Sequence, residues 1–283
     1  MLSQRQLIVL YQQACEIELQ AFKPGNVSVY AAGHDMTVKD FQVSAQVSAE
    51  PLCNPDYCLG EKIYYAVKAT REAVGCNTNL GILLLCAPVI QAAANVSEAL
   101  TLREALTQVL ATTTISDAQW AFKAIALASP GGLGEVDTQD VRQSATVSLA
   151  EAMQLASTKD RIALQYANGY KDIFDYAVLR YNARLSQWSD KNWAAVFVYA
   201  ELLSQFPDSH IERKHGSQYT NWVAVRMQQF LNEFGKTTDS KQIIQRLYSL
   251  DSEFKANDIN PGTTADMTVA TILAVLIEDA LAK

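Results

Sequence analysis

The sequence predicts an all-α fold, and three observations carry that prediction. Apolar residues recur at helical spacing through long segments. Ala, Leu, Gln and Glu, which favour helices, dominate those segments. Sustained alternation of apolar and polar residues is scarce, so strands have little support.

The elements follow in order. Residues 3–21 put Leu7, Leu10, Tyr11, Ala14 and Ile17 on one helical face. The run "GILLLCAPVIQAAA" is too short to span a bilayer and contains a proline; it reads as a buried core helix. Asp137 is a plausible N-cap for "TQDVRQSATVSLAEAMQLA", and Asp190 for "KNWAAVFVYAELLSQ". "SHIE" at Ser209–Glu212 fits a capping box. Over 191–205, Trp193, Val196, Phe197 and Ala200 share a face, and the last segment repeats this with Val269, Ile272, Leu273 and Leu276. There is no Gly/Ser linker, low-complexity tract or fixed-period repeat. The expectation is a single multi-helix domain over 1–283, with a ligand site built from the inter-helix loops.

Bulk properties exclude several functions. The chain has 283 residues, 49% apolar and 19% charged, which is an ordinary globular composition. A net charge of -7 argues against nonspecific nucleic-acid binding, which needs a cationic face. The N-terminal stretch lacks the pattern of a signal peptide, and a membrane partner is not expected. The cysteines (Cys15, Cys53, Cys58, Cys76 and Cys86) show no zinc or redox spacing and read as reduced thiols in the cytoplasm. The oligomeric state is left open, a homodimer included.

The breaks between helices hold the unusual residues: "FKPGNVSVYAAGHDM", "GCNTNLG", "SPGGLGEVD", "FPDSHIERKHG" and "NDINPGTTADM". Loops at helix ends are where a helical protein usually places ligand chemistry. Lys23 reads as a phosphate cation on a rigid turn or as a helix-terminal lysine before a proline stop. His34 and Asp35 suit a magnesium and proton-transfer pair or simple loop capping. Asn77, Thr78 and Asn79 would hold a base or ribose, or cap the helix that follows. Asp208 with Arg213 and Lys214 reads as a polyphosphate cluster or as a capped short helix with a basic end. Asp266 shares a face with Ala270, Leu273 and Ile277, where a carboxylate should be paired, capped or metal-bound.

Taken in order, these loops resemble the triphosphoribosyl-dephospho-CoA synthase family. The carrying segments are "KPGNV", "GHDM", "GCNTNLG", "PDSHIERKHG" and "NPGTTADM", and the resemblance runs from about Lys23 to the end. It implies an all-helical transferase that joins ATP to 3'-dephospho-CoA through a new glycosidic bond, with adenine released and the triphosphate retained. It further implies Mg2+ on Asp35, Asp208 and Asp266, and catalytic roles for His34, Asp35 and Asp208. Lys23, Gly25, Asn26, Asn77, Thr78, Asn79, Arg213, Lys214, Gly216 and Gly262 are then the nucleotide-binding set. The chain departs from the family pattern at "NVSVY", which lacks an Asp-Arg pair. It departs again at "NTNL", where Asn79 and Leu80 replace a histidine and a lysine. Those changes keep two alternatives in view: the same fold with another acceptor or nucleotide, and a non-catalytic helical binding protein.

Overall fold

The computed structural model describes residues 2–31, 36–97, 99–129, 141, 143–237 and 239–282. In chain order the helices begin with α1 (Gln4–Gln20), α2 (Val38–Leu52), α3 (Leu59–Val74), α4 (Leu80–Ala93) and α5 (Leu102–Ala111). They continue with α6 (Ile115–Ala128), α7 (Leu149–Ala156), α8 (Arg161–Asn168), α9 (Val178–Trp188) and α10 (Lys191–Gln205). The last four are α11 (Ser209–His215), α12 (Thr220–Phe234), α13 (Ser240–Ala256) and α14 (Gly262–Leu281). A π-helical turn at Asp172–Ala177 leads into α9. Among the described residues, extended pairing is limited to two isolated bridges, Ser28 with Ala31 and Ser97 with Leu100. The protein is all-α, as its periodicity predicts.

Local chemistry starts most of these helices. Ser3 accepts from the Gln6 amide, and the Gln6 side chain accepts from the Ser3 amide, a reciprocal capping box. Thr37 with Asp40, Thr101 with Glu104, Thr114 with Asp117 and Ser148 with Glu151 start α2, α5, α6 and α7 in the same way. Asp190 caps α10 as expected, accepting from the amides of Asn192 and Trp193. Two expected starts differ. Asp137 lies outside the described residues, and the helix that follows it begins at Leu149, capped by Ser148. At α11 the cap is Asp208, not Ser209. The carboxylate takes the free amides of His210 and Ile211, and the Ser209 hydroxyl instead accepts from the Arg161 amide at 2.6 Å.

Two helices, α4 and α14, form the centre. Each is apolar on nearly every side, the mark of a helix enclosed by others. They pack on one another, and α14 also meets α1, α8, α9, α10 and α11. The proline inside α4 is accommodated by a specific substitution of donors. Pro88 has no N–H for the Leu84 carbonyl, so that acceptor would be orphaned in the core. The buried Tyr166 hydroxyl donates to Leu84 O at 2.6 Å, and Tyr170 donates to Leu85 O at 3.1 Å. These tyrosines therefore bind α8 and the π-helical turn to the central helix.

Around this centre, α2 packs on α3, α3 on α6, α9 on α10 and α10 on α12. The α3–α6 crossing is unusually close because Gly60 has no side chain. Its amide donates to Asp117 Oδ1 at 2.9 Å, and a Cβ there would lie 2.4 Å from the Asp117 carbonyl oxygen. Gly60→Ala is therefore expected to push the two helices apart and destabilise the protein by about 1–3 kcal/mol. A lowered urea midpoint would show it, and an unchanged midpoint would refute the close-crossing account.

Candidate active site

The first turn of α14 collects loops that are far apart in sequence. Asn260 accepts from the Asn26 side chain at 2.8 Å. Gly262 lies against His210, where a Cβ would sit 3.3 Å from the ring Nδ1. Thr264 is bonded to Asp208, and Asp266 lies against Gly81 at the start of α4. Segments from four of the five Gly- and Pro-rich breaks thus meet at one helix end.

Asp208 makes the strongest of these ties. Its Oδ1 accepts from the His210 and Ile211 amides at 2.8 and 3.1 Å. Its Oδ2 accepts from the Thr264 amide and hydroxyl, both at 2.7 Å. Four donors fill the acceptor capacity of a carboxylate. The side chain thus caps α11 and fastens it to α14. Asp208→Ala should destabilise the protein by about 2 kcal/mol or more through the lost cap and the stranded Thr264 donors. Thermal melts would measure the loss.

Lys23 differs from expectation. It is 0% exposed, so its ammonium is not presented to solvent as a phosphate cation. It lies 2.7 Å from Glu18 Oε1 and donates to the Val27 carbonyl at 2.6 Å. Burial lowers the lysine pKa and raises that of Glu18, while their mutual attraction opposes both shifts. The turn after Lys23 is anchored by Gly25, at φ +82°, whose amide donates to Asp251. A Cβ at Gly25 would stand 2.7 Å from Ile259 O, so close backbone packing requires glycine here.

Asp266 is the carboxyl without a hydrogen bond among the described residues that sits in this cluster. A Cβ on Gly81 would fall 2.0 Å from its Oδ2, so only glycine admits it there. Burial pushes its carboxyl well above the usual carboxylate range, and the charges of Glu18 and Asp208 push the same way. Arg213 opposes the shift, Asp160 adds to it, and Lys23 feels the Asp266 charge. The protonated form is thereby favoured.

A carboxyl with a raised folded-state pKa supports folding at low pH and loses that support as pH rises through its folded value. Stability should fall as pH rises through this range, with Glu18 contributing in the same direction. Asp266→Asn, which keeps the shape without titrating, should flatten the profile and raise the melting temperature at alkaline pH. Melts from about pH 4 to about pH 9 test this. A variant that tracks the parent at every pH would refute it.

The remaining expected residues have defined places. Asn77 accepts from the Leu80 amide at 3.1 Å and so acts as a cap for α4. Thr78 and Ser44 share a 2.6 Å hydroxyl contact. The Asn79 carboxamide donates to Ser48, which also meets the Tyr11 hydroxyl. Arg213 is held on Asp160 at 2.6 Å, and Lys214 pairs with Asp258. Gly216 closes α11 at φ +61° with open space around it. His34 and Asp35 lie outside the described residues.

Two site residues were missed in the sequence, Glu18 and Gly81. Glu18 continues the buried stripe of Tyr11 and Ala14 at spacings of four and three, so a glutamate inside an apolar face was the available signal. Gly81 carried no comparable signal, because the need for it comes from Asp266. The described residues do not bring the expected magnesium ligands Asp208 and Asp266 into a metal-binding cluster, and Asp35 lies outside them. Asp208 is saturated, Glu18 is paired, and no cluster of three or more His, Cys, Asp or Glu groups suited to a metal occurs among the described residues.

The comparisons with known proteins agree with this architecture. A crystal structure from Archaeoglobus fulgidus, provisionally identified as a triphosphoribosyl-dephospho-CoA synthase, superposes with a TM-score of 0.65 at 23% identity. It covers 83% of this chain and 97% of its own, which establishes a shared fold. No curated protein sequence matches the chain. The CitG family, ATP:dephospho-CoA triphosphoribosyl transferase, matches residues 4–283. The chain belongs to that transferase family.

Proposed function

We propose that this protein transfers the 5-triphosphoribosyl group of ATP to a hydroxyl of 3'-dephospho-CoA and releases adenine. The C–N bond to adenine breaks, a C–O bond to the acceptor forms, and one proton passes from the acceptor hydroxyl to the departing base. The observation that carries the assignment of chemistry is Asp266, a carboxyl with no hydrogen bond among the described residues, lying against Gly81 where the family's loops meet, where burial favours its protonated form. It donates its proton to the leaving adenine and, once ionised, takes the acceptor's proton, so the step balances on one residue. Asp208 acts as a positioning residue, holding the α14 turn that carries Asp266.

The triphosphate brings its own magnesium, as part of the substrate. Arg213 and Lys214 neutralise its oxygens by exchanging their present partners, Asp160 and Asp258. Thr78 and Asn79 contribute polar groups at the start of α4 beside the reacting sugar. His34 and Asp35 precede α2 in sequence and take the catalytic roles that the family resemblance implies. Membrane association is not part of this reading: no described helix is long and apolar enough to cross a bilayer.

The reading is tested by following adenine release chromatographically with MgATP and 3'-dephospho-CoA. Release should require both substrates and magnesium. Asp266→Asn should lower kcat by about 100-fold or more while leaving the fold intact. Titration with magnesium alone should show no tight site. ATP binding without adenine release would favour another acceptor, a reading supported by Asn79 and Leu80 standing at the start of α4 where the family carries charge.

A further inference from the structure

A pocket of about 440 Å³ opens between α1 and α2 and is closed at its inner end by the start of α4. The volume lies within the range of roughly 300–1,000 Å³ typical of small-molecule sites. Its lining suits one part of a nucleotide better than another. Glu16 and Glu18 line it, and no described lysine or arginine does, so the described lining supplies no cation for a polyphosphate. Gln12, Gln42 and Gln46 line it too, and their carboxamides make no hydrogen bond among the described residues. A carboxamide offers one donor and one acceptor side by side, which matches the edge of adenine. Phe41 is part-buried in the wall and stacks on no other described ring, leaving a face for a flat base.

We propose that this pocket seats an adenine ring, stacked on Phe41 and read by Gln12, Gln42 and Gln46. Glu18 lines the pocket and also pairs with Lys23, while Asn79 lines it two residues before Gly81, which abuts Asp266. The pocket wall thus adjoins both the Glu18–Lys23 pair and the start of α4, the turn against which Asp266 packs. The proposal rests on the transferase reading above, in which both substrates carry adenine. The pocket serves the adenine of either the donor or the acceptor.

The test is calorimetric titration of the full chain with three probes: MgATP, 3'-dephospho-CoA and inorganic triphosphate. Gln42 and Gln46 are exposed positions of α2, so the double variant Gln42→Ala/Gln46→Ala should fold normally. Its Kd should rise about tenfold or more for one adenine-bearing probe and stay unchanged for triphosphate. A rise for MgATP assigns the pocket to the donor, and a rise for 3'-dephospho-CoA assigns it to the acceptor. Phe41→Leu should shift the same probe. Unchanged Kd values for both adenine-bearing probes, or an equal loss for triphosphate, would overturn the proposal. Adenine release separates this from the reaction itself. Binding that depends on Gln42 and Gln46 without any transfer would sink the reaction and keep the pocket. Transfer by a double variant that binds normally would do the reverse.

Discussion

The four hydrogen bonds on the Asp208 carboxylate hold the site together. One oxygen takes the free amides at the start of α11, and the other takes the amide and hydroxyl of Thr264 in the first turn of α14. Helix starts carry amides with no internal partner, and a carboxylate is the strongest neutral-pH acceptor available to them. One side chain thereby satisfies two helix ends and sets their relative position. Everything else at the site is referred to that junction: Gly262 against His210, Asn260 against Asn26, and Asp266 against Gly81.

The same region concentrates electrostatic tension. Glu18 and Lys23 are both buried and satisfy one another, but Asp266, two residues beyond Thr264, has no such partner. An unpaired carboxyl inside a protein avoids the penalty of a bare charge by keeping its proton. In the proposed reaction this is the proton that passes to the departing base.

The fold was largely legible because it depends on local rules. Residues 3–21 and 191–205 were read as helices from apolar spacing and match α1 and α10 within a residue at each end. The apolar run of α4, too short to span a bilayer, reads as a core helix despite Pro88. What could not be read was how that proline is tolerated, because Tyr166 and Tyr170 reach Leu84 and Leu85 from about eighty residues away.

The candidate site was legible as a set of loops, but the contacts of its residues were not. The sequence by itself determined the helical class, the breaks, and the segments that tie the chain to its family. Spacing and composition act over one or two turns, and these features need nothing longer. Only the tertiary structure decided what each polar residue does. Lys23 meets Glu18 instead of solvent, Asp208 accepts from three amides and a hydroxyl, and Asp266 is left unbonded against a glycine. A carboxylate's chemistry is set by which donors, charges and apolar groups surround it, and here those neighbours arrive from α1, α4, α11 and α14.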